Sequence, residues 1–258
     1  MSLDEGKGQL FGVSLGPGDP ELITRRAFAL LQRNDAHWSY PVRRKNAESH
    51  ALQIALQSGL TLPAEHTPLV FPMTHDSEIL TNYWLHAAET VLARLNSGQD
   101  VLFLVEGDAS TYSTFSHLAR TLSALDETVR IEIVPGVPSF NAAAASFGIP
   151  LADTDETVAI IPAGYGIAMI ERLLDDFDTL VLLKVKPLLD DILDLLERRN
   201  LLPHTAFIEK AGTKIERIER NIAVLRGEKV NYLSLLLVKN PNRERGEVQR
   251  GCRKKSDE

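Results

Sequence analysis

The chain has 258 residues, of which 44% are hydrophobic and 24% are charged, which is ordinary for a globular protein with a sizeable core. Its formal net charge of −7 argues against a general nucleic-acid binder, whose surface would be basic. The one cysteine, Cys252, excludes a disulfide framework and a cysteine-based metal site, and without a signal peptide or a run of about 18 apolar residues we expect a cytoplasmic protein.

Short apolar runs alternate with amphipathic segments along almost the whole chain. The runs predict β-strands at Leu10–Leu15, His37–Tyr40, Leu69–Met73, Val101–Glu106, Ile131–Val134, Thr157–Pro162, Leu180–Val185, Thr205–Glu209 and Tyr232–Val238. The amphipathic segments predict helices at Glu21–Arg33, Ser49–Gln57, Glu78–Leu95, Thr114–Leu122, Ser139–Phe147, Ile167–Leu174 and Leu188–Arg199. Continuously apolar runs such as VLFLVEG are typical of strands that helices cover on both faces. The pattern therefore predicts an α/β protein with mixed, mainly parallel sheets.

The chain is long enough for two α/β domains. We place the first at residues 9–137 and the second at 138–240, with a turn at Phe147–Asp153 as an alternative place for the boundary. Past Gly212 the helical pattern weakens, and residues 226–229 are typical of a turn, so we expect a hairpin around that turn to end the second sheet. Residues 241–258 are charged and nearly free of apolar side chains, so we expect a disordered tail.

The first predicted strand runs into the turn Gly16-Pro17-Gly18-Asp19-Pro20. Asp19 is a good helix cap, and the proline after it suits a first helical position. A dinucleotide fingerprint needs a third glycine, which is missing, and Asp19 would repel a pyrophosphate at the helix start. A phosphate cradle is therefore disfavoured, and on these residues alone a purely structural turn and a turn that holds another ligand stay equally open.

Two further turns of the same kind follow predicted strands. One contains Glu106-Gly107-Asp108 and the other Pro135-Gly136-Val137-Pro138. Open α/β sheets bind ligands at the carboxyl ends of their strands, where these turns lie. Their backbone groups could hydrogen-bond a neutral or zwitterionic ligand such as an adenosyl sulfonium compound.

The motifs GPGDPELIT, YPV, FPMT, EGDASTYSTF, VPGVPS and EKAGT occur in this order. Together they resemble the tetrapyrrole (corrin/porphyrin) methylase family, and the resemblance spans residues 9–240. YPV, FPMT and YSTF are similar to the branch that methylates carbon C20 of precorrin-2 or cobalt-factor II. Many family members have Gly-Asp-Pro in the middle motif, whereas this chain has Ala109 after Asp108.

The resemblance implies that S-adenosylmethionine (SAM) binds in a cleft between the two α/β domains. Carried over by motif, the implied cofactor-binding residues are Pro17, Glu106, Gly107, Asp108, Thr111, Pro138, Ser139, Lys184, Ala211 and Gly212. For any single residue a structural role is as good an interpretation, since Gly107 can simply permit a tight turn and Asp108 can cap a helix.

The substrates of this branch carry acetate and propionate groups, so a net-acidic protein needs local positive charge to hold them. The basic run Arg43, Arg44 and Lys45 is our candidate for this role, with a solvated loop as the alternative. Methyl transfer needs positioning and exclusion of water more than a covalent intermediate. Weak candidates to take the proton that C20 must then lose are Glu106, Asp108, Tyr112 and His75. The alternatives are that Tyr112 is a core aromatic, that His75 is a surface loop residue, and that water or a substrate carboxylate takes the proton.

The seven histidines show no metal-ligand spacing, so we expect no protein-bound metal, and any cobalt would come with the substrate. The family resemblance implies a homodimer, and we expect neither a nucleic-acid nor a membrane partner. Four other functions stay open. The chain could be another tetrapyrrole methylase (acting at C4, at C11 or on uroporphyrinogen-III) or a diphthine synthase. It could also be a nicotinamide-dependent oxidoreductase or a non-catalytic tetrapyrrole carrier.

Overall fold

The computed structural model describes residues 6–244 and residue 246. This part of the chain divides into two compact units. The first runs to Ala142 and also contains Gly212–Lys214, and the second contains Ala143–Ala211 and the chain from Ile215 onward. The domain limits 9–137 and 138–240 stay predictions, and most of the predicted tail, including Cys252, lies outside the described residues.

The first unit contains a sheet in which every paired strand is parallel. Its strands are β1 (Gln9–Ser14), β2 (His37–Val42), β3 (His66–Val70), β4 (Val101–Val105) and β5 (Arg130–Val134), in the order β3-β2-β4-β1-β5. Its helices are α1 (Arg25–Leu31), α2 (His50–Gln57), α3 (Ser77–Asn96), α4 (Phe115–Leu125) and α5 (Ser139–Phe147), the last of which continues into the second unit. Because all five strands run in one direction, the turns that follow them lie along one edge of the sheet.

Side chains on both faces of this sheet are buried, as the continuous apolar runs predict. In β4, Leu102 and Leu104 join one apolar cluster with residues of α1 and α2, while Val101, Phe103 and Val105 join another with residues of α3 and α4. Gly12 in β1 has no side chain because Phe115 fills that space, at 2.6 Å from where a Cβ would lie.

The first predicted helix and the third predicted strand differ from the structure in an informative way. The helix predicted at Glu21–Arg33 is a 3₁₀ turn at Pro20–Leu22 followed by α1, because the chain is extended at Ile23. Asp19 caps the first piece by accepting from the Glu21 amide at 2.9 Å, and Thr24 caps the second by accepting from the Ala27 amide at 3.2 Å. The third strand begins at His66 and not at Leu69, which leaves the motif FPMT in the turn after β3.

The second unit contains a mixed sheet. Its strands are β6 (Val158–Pro162), β7 (Thr179–Leu183), β8 (Thr205–Glu209), β9 (Arg217–Glu219) and β10 (Ser234–Lys239), in the order β6-β7-β10-β8-β9. Only the pair of β6 with β7 is parallel among the described strands of this sheet. The helices α6 (Ile167–Asp176) and α7 (Leu189–Arg198) contribute to its core. The predicted α/β class with two sheets is therefore confirmed. The hairpin predicted around the turn at 226–229 is not formed, because β9 pairs with β8 at the sheet edge while β10 pairs with β7 and β8.

Residues just past β10 pack on this unit. Arg243 forms an ion pair with Asp178, whose side chain is only 2% exposed. Asp178 also accepts hydrogen bonds from the Thr157 amide at 2.8 Å and the Thr157 hydroxyl at 3.0 Å. The first residues of the predicted tail thus neutralise a buried carboxylate. Among the described residues, no helix combines the length and the apolar character that crossing a membrane requires.

Candidate functional site

The turns after β1 and β4 are bonded to each other. The Gly16 amide donates to the Gly107 carbonyl at 3.2 Å, and the Gly107 amide donates back to the Gly16 carbonyl at 2.7 Å. Both glycines have a φ of +76°, in the left-handed region that side chains disfavour. Glycine at both positions therefore allows the turns after two neighbouring strands to hydrogen-bond to each other.

Asp108 connects this pair of turns to the turn after β5. Its side chain is buried, and its Oδ2 accepts from the Gly136 amide at 2.8 Å. Its Oδ1 accepts from the Ser110 amide at 2.9 Å and from the Ser110 hydroxyl. Burial by itself would raise the pKa of Asp108, but the hydrogen bonds from Ser110 and Gly136 outweigh it and lower the pKa. Asp108 is therefore a carboxylate at neutral pH.

Gly136 lies too close to its neighbours to carry a side chain. A Cβ at this position would overlap the Cβ of Ser14 and lie 2.8 Å from the Gly107 carbonyl oxygen. Ser14 is fully buried, and its Oγ accepts from the Ala109 amide at 2.8 Å. Gly136 belongs to a turn that the sequence indicated, whereas Ser14 was missed, although a serine at the end of the strand before a glycine-rich turn was a usable indication.

A fourth segment, Gly212–Lys214 of the motif EKAGT, packs on the first turn. Gly212 has a φ of +73°, and a Cβ on it would lie 3.0 Å from the Pro17 Cγ. A Cβ on Gly18 would overlap the Thr213 methyl group. The structure thus brings Pro17 and Gly212 side by side, and Thr213 is a further contact that the sequence did not indicate.

The remaining implied cofactor residues lie at the same edge or in the second unit. Thr111 belongs to the turn held by Asp108, since its amide donates to the Asp108 carbonyl at 3.2 Å. Pro138 and Ser139 lie where the third turn enters α5. Lys184 and Ala211 belong to the second unit.

In the second unit, two lysines have left-handed backbone conformations. Lys184 follows β7 with a φ of +57°, and Lys210 follows β8 with a φ of +54°. Their amides donate to Ser234 at 2.9 Å and to Leu233 at 2.7 Å, at the start of β10, and the Lys184 Nζ lies 5.8 Å from the centre of the Tyr232 ring. Such conformations are costly outside glycine and are common at ligand sites.

Glu106 lies at the end of β4, beside the turn after β2. Burial raises the pKa of Glu106, and the positive charges of His50 and Arg43 partly oppose that rise. Arg43, Arg44 and Lys45 are all exposed and directly follow β2, the neighbour of β4. The basic run and Glu106 therefore lie at one part of the sheet edge.

The other two candidate proton acceptors are exposed. Tyr112 is 51% exposed with a φ of +49°, so the alternative that it is a core aromatic is wrong. His75 is exposed in the turn between β3 and α3, next to Met73, which is 60% exposed. Within the described part of the chain, no group of three or more histidine, cysteine, aspartate and glutamate side chains could hold a metal ion.

Comparisons with known proteins agree with this geometry. The sequence model of the family described as Tetrapyrrole (Corrin/Porphyrin) Methylases matches residues 9–223. The probable cobalt-precorrin-2 C(20)-methyltransferase of Methanocaldococcus jannaschii is 31% identical over 90% of this chain and 96% of its own length. Cobalt-precorrin-2 C(20)-methyltransferase of Salmonella typhimurium is 33% identical, with the same shares of both chains covered, 90% and 96%.

Solved structures are similar over nearly the whole fold. Uroporphyrin-III C-methyltransferase from Thermus thermophilus, complexed with S-adenosylhomocysteine, has a TM-score of 0.61 at 25% identity, covering 90% of this chain and 97% of that chain. A cobalt precorrin-4 methyltransferase has a TM-score of 0.65 at 22% identity, covering 90% and 94% of the two chains, and shows a shared fold.

Proposed function

Because the chain belongs to the tetrapyrrole (corrin/porphyrin) methylase family, we propose that it methylates C20 of precorrin-2 or cobalt-factor II with SAM as methyl donor. The relatives that it matches over almost their full length are named for this activity. The reaction is a step of cobalamin biosynthesis. The observation that carries the proposal is the set of three turns, after β1, β4 and β5, that Asp108 and the glycines join at one sheet edge.

SAM is proposed to lie along these turns. A Cβ on Gly107 would meet nothing within 4 Å, so this glycine leaves open space beside the turn for the ligand, whereas the missing side chain of Gly136 lets the third turn pack on Ser14. The ionised Asp108 carboxylate gives this edge a negative charge that suits the ammonium and sulfonium groups. Thr111, Pro138, Ser139, Lys184 and Ala211 are proposed as further contacts by motif, together with Pro17, Glu106 and Gly212.

The nucleophile is the electron-rich meso carbon of the reduced macrocycle, and the electron pair of the breaking methyl–sulfur bond moves to sulfur, which leaves as a neutral thioether. The protein's task is to align the two reactants and keep water out. Glu106 is the proposed acceptor of the C20 proton, because burial raises its pKa and makes it a stronger base than an ordinary glutamate. Asp108 is a poorer base, since its hydrogen bonds lower its pKa and occupy both oxygens.

The proposed tetrapyrrole site lies beside this edge, at the ends of β2, β3 and β4. Arg43, Arg44 and Lys45 follow β2 and would pair with the peripheral carboxylates. Exposed Met73 and Tyr112 follow the strands on either side, β3 and β4, and would give the macrocycle apolar contacts. Positive charge between two apolar side chains fits an aromatic-like ring with an acidic rim.

We expect a cytoplasmic homodimer, as the family resemblance implies. The first half of α3 supports an interface with another chain. None of the residues 77–86 is buried, and the large side chains of Ile79, Tyr83 and Leu85 are exposed there. A second copy of the chain is the proposed cover for this apolar helix face.

The test is incubation of the purified protein with methyl-labelled SAM and either precorrin-2 or cobalt-factor II, followed by NMR location of the label. Label at C20 supports the proposal, and label at C4, C11 or another ring position would reassign the reaction within the family. Tight binding of a nicotinamide cofactor without binding of SAM would refute the methyltransferase. Tetrapyrrole binding without any methylated product would favour the carrier. Comparing the two substrates decides whether cobalt is preferred.

A further inference from the structure

The last residue of β1, Ser14, makes a hydrogen bond that the proposed chemistry does not use. Its side chain is fully buried, and its Oγ accepts from the Ala109 amide at 2.8 Å. Ala109 lies past the end of β4 at Val105, so no strand ladder provides an acceptor for its amide. Ala109 is itself fully buried, and a buried amide without an acceptor is costly.

Ser14 is also at the point where the three turns meet. The space beside its Cβ is taken up by Gly136, which is why Gly136 cannot carry a side chain. The Gly136 amide in turn donates to Asp108, the residue directly before Ala109. A small side chain with one acceptor oxygen therefore fits position 14, and a larger one would push the third turn away.

The chemistry of position 109 explains why an acceptor is needed. Proline at this position would have a fixed φ and no amide hydrogen. Alanine at this position in the present chain is less restricted and brings an amide hydrogen into a buried site. The hydrogen bond to Ser14 satisfies that amide and ties the turn to β1.

We infer that Ser14 is a positioning residue for the SAM site: by accepting from the Ala109 amide, it holds Gly107 and Asp108 where the ligand needs them. It contacts neither the ligand nor the substrate. The inference rests on the proposed function, because it assigns the turn after β4 to SAM.

The experiment compares four purified proteins by calorimetric titration with S-adenosylhomocysteine and by steady-state kinetics: the unaltered chain, Ser14→Ala, Ser14→Ala/Ala109→Pro and Thr205→Val. Thr205→Val is the matched control, since it also removes a buried hydroxyl group that bonds to the backbone. The Thr205 hydroxyl donates to the Leu201 carbonyl at 2.8 Å. We expect Ser14→Ala to raise the Kd and the KM for SAM about tenfold with kcat changed less than about threefold. The double variant should recover most of the affinity, because proline has no amide hydrogen to satisfy. The control should lose stability and keep its Kd.

Hydrogen–deuterium exchange of residues 106–112 gives a second readout, in which Ser14→Ala should speed exchange in this segment. An unchanged Kd in Ser14→Ala would overturn the inference. So would a folded double variant that binds no better than Ser14→Ala. If the double variant does not fold, the Kd of Ser14→Ala and the exchange rate decide together. Failure of the unaltered protein to bind the ligand would instead refute the proposed function.

Discussion

Gly136→Ala should destabilise the first unit and damage the proposed cofactor site. The added methyl group would overlap the Cβ of Ser14 and come within 2.8 Å of the Gly107 carbonyl oxygen, and both neighbours are fixed by hydrogen bonds. Overpacking of this kind costs about 1–3 kcal/mol. The third turn must move to relieve it, which weakens the charged hydrogen bond to Asp108, worth about 1.5–3 kcal/mol. With partial relaxation we expect a loss of about 3 kcal/mol.

In a chain of this size, 1 kcal/mol corresponds to about 2–4 °C, so the melting temperature should fall by about 6–12 °C. The assay is thermal and urea unfolding together with titration of S-adenosylhomocysteine, which should bind at least about tenfold more weakly. Gly164→Ala is the control, because a Cβ there meets nothing within 4 Å and its φ is not in the left-handed region. It should be neutral or slightly stabilising. A Gly136→Ala protein that melts within about 2 °C of the unaltered chain and binds normally would refute the packing argument, since the expected shift is several times larger.

Four further changes test other parts of the structure. Glu106→Gln keeps the size of the side chain but cannot take a proton, so kcat should fall about a hundredfold or more. The unaltered enzyme should lose activity as the pH falls through the raised pKa of Glu106, because the protonated side chain cannot accept a proton. The pH profile of the variant should lack this fall in activity at low pH. Charge reversal of Arg43 and Arg44 should weaken tetrapyrrole binding and leave S-adenosylhomocysteine binding within about twofold, and unchanged tetrapyrrole affinity would remove these residues from the substrate site. Burial lowers the pKa of His37 below its ordinary value of 6.5, so the unfolded chain takes up a proton more readily and stability should fall as the pH drops below about 6.5. That acid sensitivity, followed by urea unfolding, should shrink in His37→Gln. Arg243→Ala removes a cation that pairs with the buried Asp178 carboxylate and should cost about 3 kcal/mol in urea unfolding, and an unchanged midpoint would show that the ion pair does not matter.

Local patterns were enough to predict the class of fold and every described strand except the short β9. The run at 101–105 is apolar at every position because helices cover both faces of β4, which the structure confirms. The break in the predicted helix at 21–33 was missed because Thr24 can either continue a helix or cap one, and the packing of α1 decides between them.

The sequence predicted the turns after β1, β4 and β5 but not the hydrogen bonds that join them. The turns could be predicted because glycines and acids follow apolar runs. The hydrogen bond from the Gly136 amide to Asp108 depends on β5 lying beside β1. That pairing joins strands far apart in the sequence, so no local sequence pattern indicates it. The left-handed backbone conformation of Lys184 could not be predicted either. Lysine has no preference for that conformation, and the hydrogen bond from the Lys184 amide to Ser234 in β10 imposes it.

The return of Gly212–Lys214 to the first unit has a consequence for how the protein is made. On the ribosome, β1 has no strand partner until Val101 has been synthesised, and the first turn has no cover until Thr213 follows more than a hundred residues later. The first unit therefore stays incomplete during synthesis until the segment Gly212–Lys214 has been made. A gene fragment that stops at Ala142 would contain all five strands of the first sheet and still lack the segment Gly212–Lys214 that packs on its first turn.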